Sequence, residues 1–310
     1  MGRKRKFYSG ILNHIYQKSI DGNNLFYGDE DFIAFYTIFS ICAKSSNVQV
    51  LLACIMYNHF HSLIRSENMD DLSKFMDRVT AWYVMDYNFS IGRKGKLLKK
   101  NFGSAPKWND KSVRTSINYV GNNPVEKYLC ANAEDYRWNF LAFYHSDSPF
   151  SKPFKRDQVS RKLRRALEEV DSMYRLGQPI KCIHAKRLLS KLTIDESDQL
   201  IDYIIRLYSF INYEDLVSYF GSYEDMLNAM RANTGSEYDI HEEWYPESDE
   251  AFREMTQYVI EKWPEKIARH VTMLSKDDKA SLFSELCEFT SASNRQICKF
   301  LHIAPSKAGR

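Results

Sequence analysis

Residues 48–65 read VQVLLACIMYNHFHSLIR. Two apolar runs, 48–56 and 59–65, are separated only by Tyr57 and Asn58. That is the length of a two-residue hairpin turn, so the chain is expected to fold back here as an antiparallel pair, although tyrosine is unusual in such a turn. The flanking segments supply neighbours for this pair. KFYSGILNHIYQ (6–17) is rich in aromatic and β-branched residues and reads as a strand, closed by the polar turn SIDGNN. EDFIAFYTIFSICAKS (30–45) is apolar along its whole length. It is long enough to favour a buried helix, and its acidic start suits a helix N-terminus.

MDDLSKFMDRVTAWYVMDYN (69–88) places Leu72, Phe75, Met76, Val79, Trp82 and Tyr83 at the spacing of an amphipathic helix. GRKGKLLKKNFGS (92–104) is basic and punctuated by glycine, a loop leading to a short strand. DKSVRTSINYVGNN (110–123) reads as a helix with Asn109 or Asp110 as N-cap, and Pro124 is expected to end it. The order β-α-β-β-α-β-α predicts an α+β fold: a ferredoxin-like split βαβ, an antiparallel sheet with helices on one face, plus one added helix.

The character changes near residue 146. The expected organisation is a first domain over 1–146, a basic Pro/Ser linker over 147–158 and an all-α region over 159–310. RKLRRALEEVDSMYRLG, SDQLIDYIIRLYSFI and YEDLVSYFGSYEDMLNAMRAN have helical patterns, and the acidic, aromatic EYDIHEEWYPESDE interrupts them. The tail from Asp277 reads as a helix, a turn at Ser291–Ser293 and a second helix, with a further short helix beginning near Pro305. Residues 275–310 therefore have the spacing of a helix-turn-helix, a weak pattern that many small bundles share.

Bulk properties exclude several classes. An apolar fraction of 44% can fill a sizeable core. A net charge of +3 leaves any preference for polyanions to local patches. The six cysteines form no CxxC pair, so neither a zinc knuckle nor a disulfide framework is suggested, and free, mostly buried thiols in a reducing cytosol are expected. The basic N-terminus lacks the apolar stretch of a signal peptide, and no apolar run is long enough to span a bilayer. A soluble, cytoplasmic protein with no membrane partner is the expectation.

His59 and His61 are one residue apart in an expected strand. Residues i and i+2 share a face, so both imidazoles aim at one spot while Phe60 points the other way. Tyr119 and Asn123 are four apart on an expected helix and share a face as well. Two imidazoles and an amide oxygen could hold a divalent metal with positions left open for a phosphoryl oxygen, and a nearby tyrosine hydroxyl is a candidate nucleophile. The bland alternative is strong: the chain has eight histidines and 20 tyrosines, and most tyrosines pack.

These residues resemble a family. Met56-Tyr57-Asn58-His59-Phe60-His61 is similar to the Met-Pro-Asn-His-hydrophobic-His motif of the HUH single-tyrosine transposases, in the branch of REP-associated tyrosine transposases (the insertion-sequence-200-like domain); Tyr57 stands in place of the proline. Tyr119-Val120-Gly121-Asn122-Asn123-Pro124-Val125 is similar to the family's helix motif, a Tyr followed four residues later by Asn-Pro-Val. HIYQK (14–18), the stretch from LSKFM through Tyr83 and Asn88 to GRKGKL, and YRWNFLAFY (136–144) resemble its first strand, second helix with basic loop, and closing segment. The resemblance covers about residues 6–146 and leaves 150–310 unexplained.

It implies a catalytic domain that cleaves single-stranded or hairpin DNA. His59, His61 and Asn123 would bind Mg²⁺ or Mn²⁺. Tyr119 would attack the phosphate to give a 5′-phosphotyrosine and a free 3′-hydroxyl, and a second 3′-hydroxyl would rejoin the strands. Some relatives are dimers and others monomers, which leaves a homodimer open here. Among the basic clusters, Arg93, Lys94, Lys96, Lys99 and Lys100, and Lys155, Arg156 and Arg161, are candidate DNA contacts. Trp108 and Tyr87 are candidates to stack on unpaired bases. The competing readings are a catalytically silent DNA-binding protein of the same fold and a histidine–metal enzyme unrelated to DNA.

Overall fold

The computed structural model describes residues 8–20, 24–99, 101–127, 129–232, 246–262, 274–301 and 303. The hairpin forms as its length requires. β2 (Val48–Ile55) and β3 (His59–Ser66) pair antiparallel, and Met56 N–H donates to His59 O at 2.9 Å across the Tyr57-Asn58 turn. β1 (Leu12–Lys18) pairs antiparallel with β3 on one side and with β4 (Gly103–Lys107) on the other, giving the order β2-β3-β1-β4. This is the four-stranded antiparallel sheet of the split βαβ.

β1 begins later than the sequence suggests. Gly10 adopts φ 68° in a turn over Tyr8–Ile11, so pairing starts only at Leu12. Lys6 and Phe7 of the expected strand lie outside the described residues.

α1 (Asp29–Lys44) and α2 (Met69–Ser90) cover one face. Phe60 of β3 points to that face, with its ring 4.8 Å from Phe35 of α1. α1 is apolar all round because it is covered all round. Beyond the sheet it meets α5 (Cys182–Leu189) and α6 (Ile194–Leu207), where the Tyr36 hydroxyl donates to Ile205 O at 2.7 Å and Ile180 N–H donates to Thr37 Oγ1 at 3.0 Å. Its first turn carries Asp29, Glu30 and Asp31, which complement the positive end of the helix dipole.

α3 (Asp110–Glu126) crosses the opposite face of the sheet. Asn109 caps it, accepting from Ser112 N–H at 2.9 Å. The expected stop at Pro124 is overturned: the helix runs on to Glu126 with the proline inside its last turn. A proline there removes its own N–H donor and crowds the carbonyl of Val120, a cost that the burial of Tyr119 through Pro124 outweighs.

Residues 133–144 form three short 3₁₀ turns around Phe140, a non-glycine residue at φ 65°, with Trp138 stacked on Phe32 at 4.7 Å. Residues 147–158 contain no helix or strand, yet Phe150 N–H donates to Asp202 of α6 at 3.0 Å and Arg156 pairs with Asp171 at 2.7 Å. The helical part comprises α4 (Arg161–Arg175), α5, α6, α7 (Tyr213–Ser218) and α8 (Tyr223–Ala232). Gly221 at φ 86° splits the 213–232 pattern into two helices. One hydrophobic core runs from Leu12 to Met230.

A second cluster joins α9 (Pro246–Lys262), α10 (Lys276–Phe289) and α11 (Asn294–Phe300) through Met255, Leu286 and Phe300, and reaches Tyr27. The expected helix, turn and helix are therefore present between 276 and 300. The helix expected near Pro305 lies outside the described residues. No helix among the described residues is long and apolar enough to cross a membrane.

Candidate active site

Strand parity builds the site. On β1, His14, Tyr16 and Lys18 alternate with Ile15 and Gln17; on β3, His59 and His61 alternate with Phe60. The antiparallel register sets Tyr16 opposite His61 and Lys18 opposite His59, so all five lie on the face that α3 covers. The Tyr16 ring lies over Gly103 of β4, where any Cβ would collide with it. This fixes glycine at the edge of the site.

α3 brings Tyr119 and Asn123 down onto this face, one turn apart. The Tyr119 ring sits 5.5 Å from the His61 ring and 5.7 Å from the His14 ring. Asn123 reaches between the histidines, with Oδ1 3.3 Å from His59 Nε2 and Nδ2 3.4 Å from His61 Nε2. Behind the pair, His14 Nε2 is 2.9 Å from His61 Nδ1, and His59 Nδ1 is hydrogen-bonded to Asn58 Oδ1. The structure thus brings together the four residues singled out by the sequence.

Donor and acceptor chemistry shows what this geometry can hold. Asn58 Oδ1 accepts only, so His59 Nδ1 carries the proton and a neutral His59 presents a bare Nε2 to the site. That bare nitrogen faces Asn123 Oδ1, another acceptor. Asn123 Nδ2–H donates toward His61 Nε2, so His61 is bare on the same side and donates Nδ1–H to His14. Three lone-pair donors therefore converge. Ligands sharing one cation at ~2.1 Å stand roughly 3–3.4 Å apart, and the 3.3 Å between His59 Nε2 and Asn123 Oδ1 has that spacing.

Cys54, opposite His61 on β2, is fully buried; burial pushes its thiol well above the usual range, and its Sγ lies 3.7 Å from Met56 Sδ. No group of three His, Cys, Asp or Glu among the described residues is placed to hold a metal.

The site is closed. His61 is 0%, Asn123 2%, His59 5% and Tyr119 7% exposed. α8 clasps α3 from behind: Asn122 Nδ2 donates to Met230 O at 2.7 Å, and a Cβ on Gly121 would stand 2.6 Å from Met230 Cε.

The basic candidates divide. Lys94 and Lys96 are exposed on the loop after α2. Arg93 folds back into that loop, donating to Asn88 Oδ1 at 2.9 Å and to Lys96 O at 2.8 Å. Lys99 N–H donates to Lys18 O at 2.9 Å, which joins the loop to the strand position opposite His59. Lys100 lies outside the described residues. Lys155 and Arg161 are exposed, whereas Arg156 is taken up by Asp171 and Tyr203. Tyr87 is fully buried in the α1/α2 core, which rules out base stacking by its ring there; Trp108 is 58% exposed, with Tyr8 at 4.0 Å.

Sequence reasoning missed His14 and Tyr16. The period-2 spacing of HIYQK could have put them on one face, but nothing in the sequence gives the register of β1 against β3. Tyr57, the other tyrosine beside the histidines, turns away and packs on Phe32 of α1 at 5.9 Å.

No protein-family model and no curated protein matches the chain. A solved structure described as a REP-associated tyrosine transposase bound to a REP hairpin is similar at 16% identity and a TM-score of 0.38, over 44% of this chain and 81% of that one. A likeness at that level fixes neither fold nor chemistry, which rest on the strand order and the side chains above.

Proposed function

We propose that this chain is a metal-assisted transesterase of single-stranded or hairpin DNA, a transposase-type strand transferase with Tyr119 as its nucleophile. The observation that carries the reading is the convergence of His59, His61 and Asn123 beside Tyr119 under one helix. Mg²⁺ or Mn²⁺ bound by those three residues would supply Lewis-acid polarisation of a phosphoryl oxygen.

The chain's own residues would do the rest. Tyr119 Oη attacks phosphorus and gives up its proton as the Oη–P bond forms. The P–O3′ bond breaks, the departing 3′ oxygen takes up a proton, and the 5′ phosphate remains on the tyrosine. Attack by another 3′-hydroxyl reverses these changes, so one phosphodiester is exchanged for another without an external energy source. Lys94, Lys96 and Lys99 sit on a loop anchored beside the His59 end of the sheet, where cations neutralise a DNA backbone. Because all four site residues are buried, α3 must rise from the sheet to admit a phosphodiester, and the α8 clasp must loosen to let it.

Product analysis tests this. Labelled hairpin oligonucleotides incubated with Mn²⁺ are expected to give one fragment with an extendable 3′-hydroxyl and one linked to protein. An added strand ending in a 3′-hydroxyl should then be joined to the second fragment. Cleavage that leaves free 5′ ends, or that proceeds unchanged in EDTA, contradicts the reading.

A further inference from the structure

We infer that His14 is a positioning residue: it fixes the tautomer of His61 so that the Nε2 lone pair faces the cation site. The inference rests on the metal reading above and assigns a role to a residue outside it. His14 is fully buried in β1, and its Nε2 stands 2.9 Å from His61 Nδ1. A neutral imidazole has one N–H and one lone pair, so this bond has two possible directions. If His14 donates, His61 must carry its proton on Nε2 and cannot ligate. If His14 accepts, His61 Nε2 is bare. The amide of Asn123 decides between them, because its Nδ2–H faces His61 Nε2 at 3.4 Å and needs an acceptor there.

His14 also packs against the Tyr119 ring at 5.7 Å, and so stands behind both the ligand and the nucleophile. Its place on β1 means that the strand pairing β1 to β3 is what sets the ligand's direction. Asn58 has the corresponding position behind His59. Such outer partners orient a ligating histidine and raise its basicity.

The test is Mn²⁺ binding by the full chain, read by calorimetry and by the electron-spin signal of free Mn²⁺. His14→Leu removes the acceptor and is expected to weaken Mn²⁺ binding about 10–100-fold. His14→Gln keeps an acceptor oxygen and should restore most of the affinity. At saturating Mn²⁺, His14→Leu should recover DNA cleavage, which loss of Tyr119 could not. Wild-type affinity in a folded His14→Leu overturns the inference while leaving the metal reading intact, provided that binding still depends on His59 and His61. A wild-type chain that binds Mn²⁺ no better than His61→Ala overturns both. If His14→Leu does not fold, nitrogen NMR of the wild-type imidazoles decides: a proton on His61 Nδ1 supports the inference, and a proton on Nε2 overturns it.

Discussion

The two faces of one sheet differ in kind, although the same strands make both. Toward α1 and α2, β1 and β3 present Ile15 and Phe60 to a core of packed aromatic rings. Toward α3 the alternate residues are the buried His14, His59 and His61 and the half-buried Tyr16, under a helix that contributes Asn123 and Tyr119. Burying polar groups costs stability unless each finds a partner. The partners on the α3 face are the histidines, Asn58 and Asn123 themselves. The α1/α2 face is therefore apolar core, and the α3 face gathers the polar groups of the candidate site.

Paired substitutions should separate the two. Tyr119→Phe is expected to abolish protein-linked DNA while leaving the melting temperature nearly unchanged, since only a hydroxyl is lost. Phe60→Ala, one residue from each histidine but on the other face, should cost about 3–5 kcal/mol of stability in a urea titration. If Phe60→Ala leaves stability intact, or Tyr119→Phe unfolds the chain, the division between the faces is wrong.

A smaller effect is expected where α8 meets α3. Gly121→Leu must displace Met230 and should cost about 1–3 kcal/mol by overpacking. Because that contact also holds α3 down, Tyr119 should become more reactive toward a tyrosine-modifying reagent; unchanged reactivity would remove α8 from the account of access.

The next difference is one of pH. Lys279 of α10 is buried beside Lys186, with Glu30 partly offsetting, and its ammonium is pushed down from 10.5 to about 8. The unfolded chain holds that proton up to about pH 10.5, whereas the folded chain releases it near 8. Between those values the unfolded state binds more protons, so this group's contribution to stability rises with pH. Thermal melts from pH 7.5 to 10 should show that rise, and Lys279→Met should flatten it.

The smallest effect is expected at the exposed loop. Lys94→Ala and Lys96→Ala should each weaken hairpin binding and lower the slope of log affinity against log salt by roughly one, without changing Mn²⁺ affinity. An unchanged slope would place the DNA elsewhere.

The order of elements was legible because the hairpin 48–65 and the apolar helix 30–45 have lengths that few other arrangements accept. The site was legible in part. His59 with His61, and Tyr119 with Asn123, each share a face by local periodicity, which sequence spacing carries. His14 and Tyr16 join them only through the register of β1 on β3, a long-range property that spacing does not encode. The continuation of α3 through Pro124 was hidden for the same reason, since tertiary burial overrode a local preference. Tyr87 reads as a stacking aromatic beside a basic loop, but α2 turns it into the core. The helical half reads correctly as helices, while its docking around α1 is visible only in contacts such as Tyr36 with Ile205.

The most direct measurement is to trap and map the covalent product. The full chain would be incubated with a labelled pool of hairpins carrying randomised single-stranded flanks and Mn²⁺, denatured, digested with trypsin and sequenced by mass spectrometry. The account predicts one DNA-bearing peptide, residues 115–127 with the nucleotide on Tyr119, absent with EDTA and in Tyr119→Phe. No DNA-bearing peptide, or one carrying its nucleotide on Tyr16 or any other residue, would contradict it.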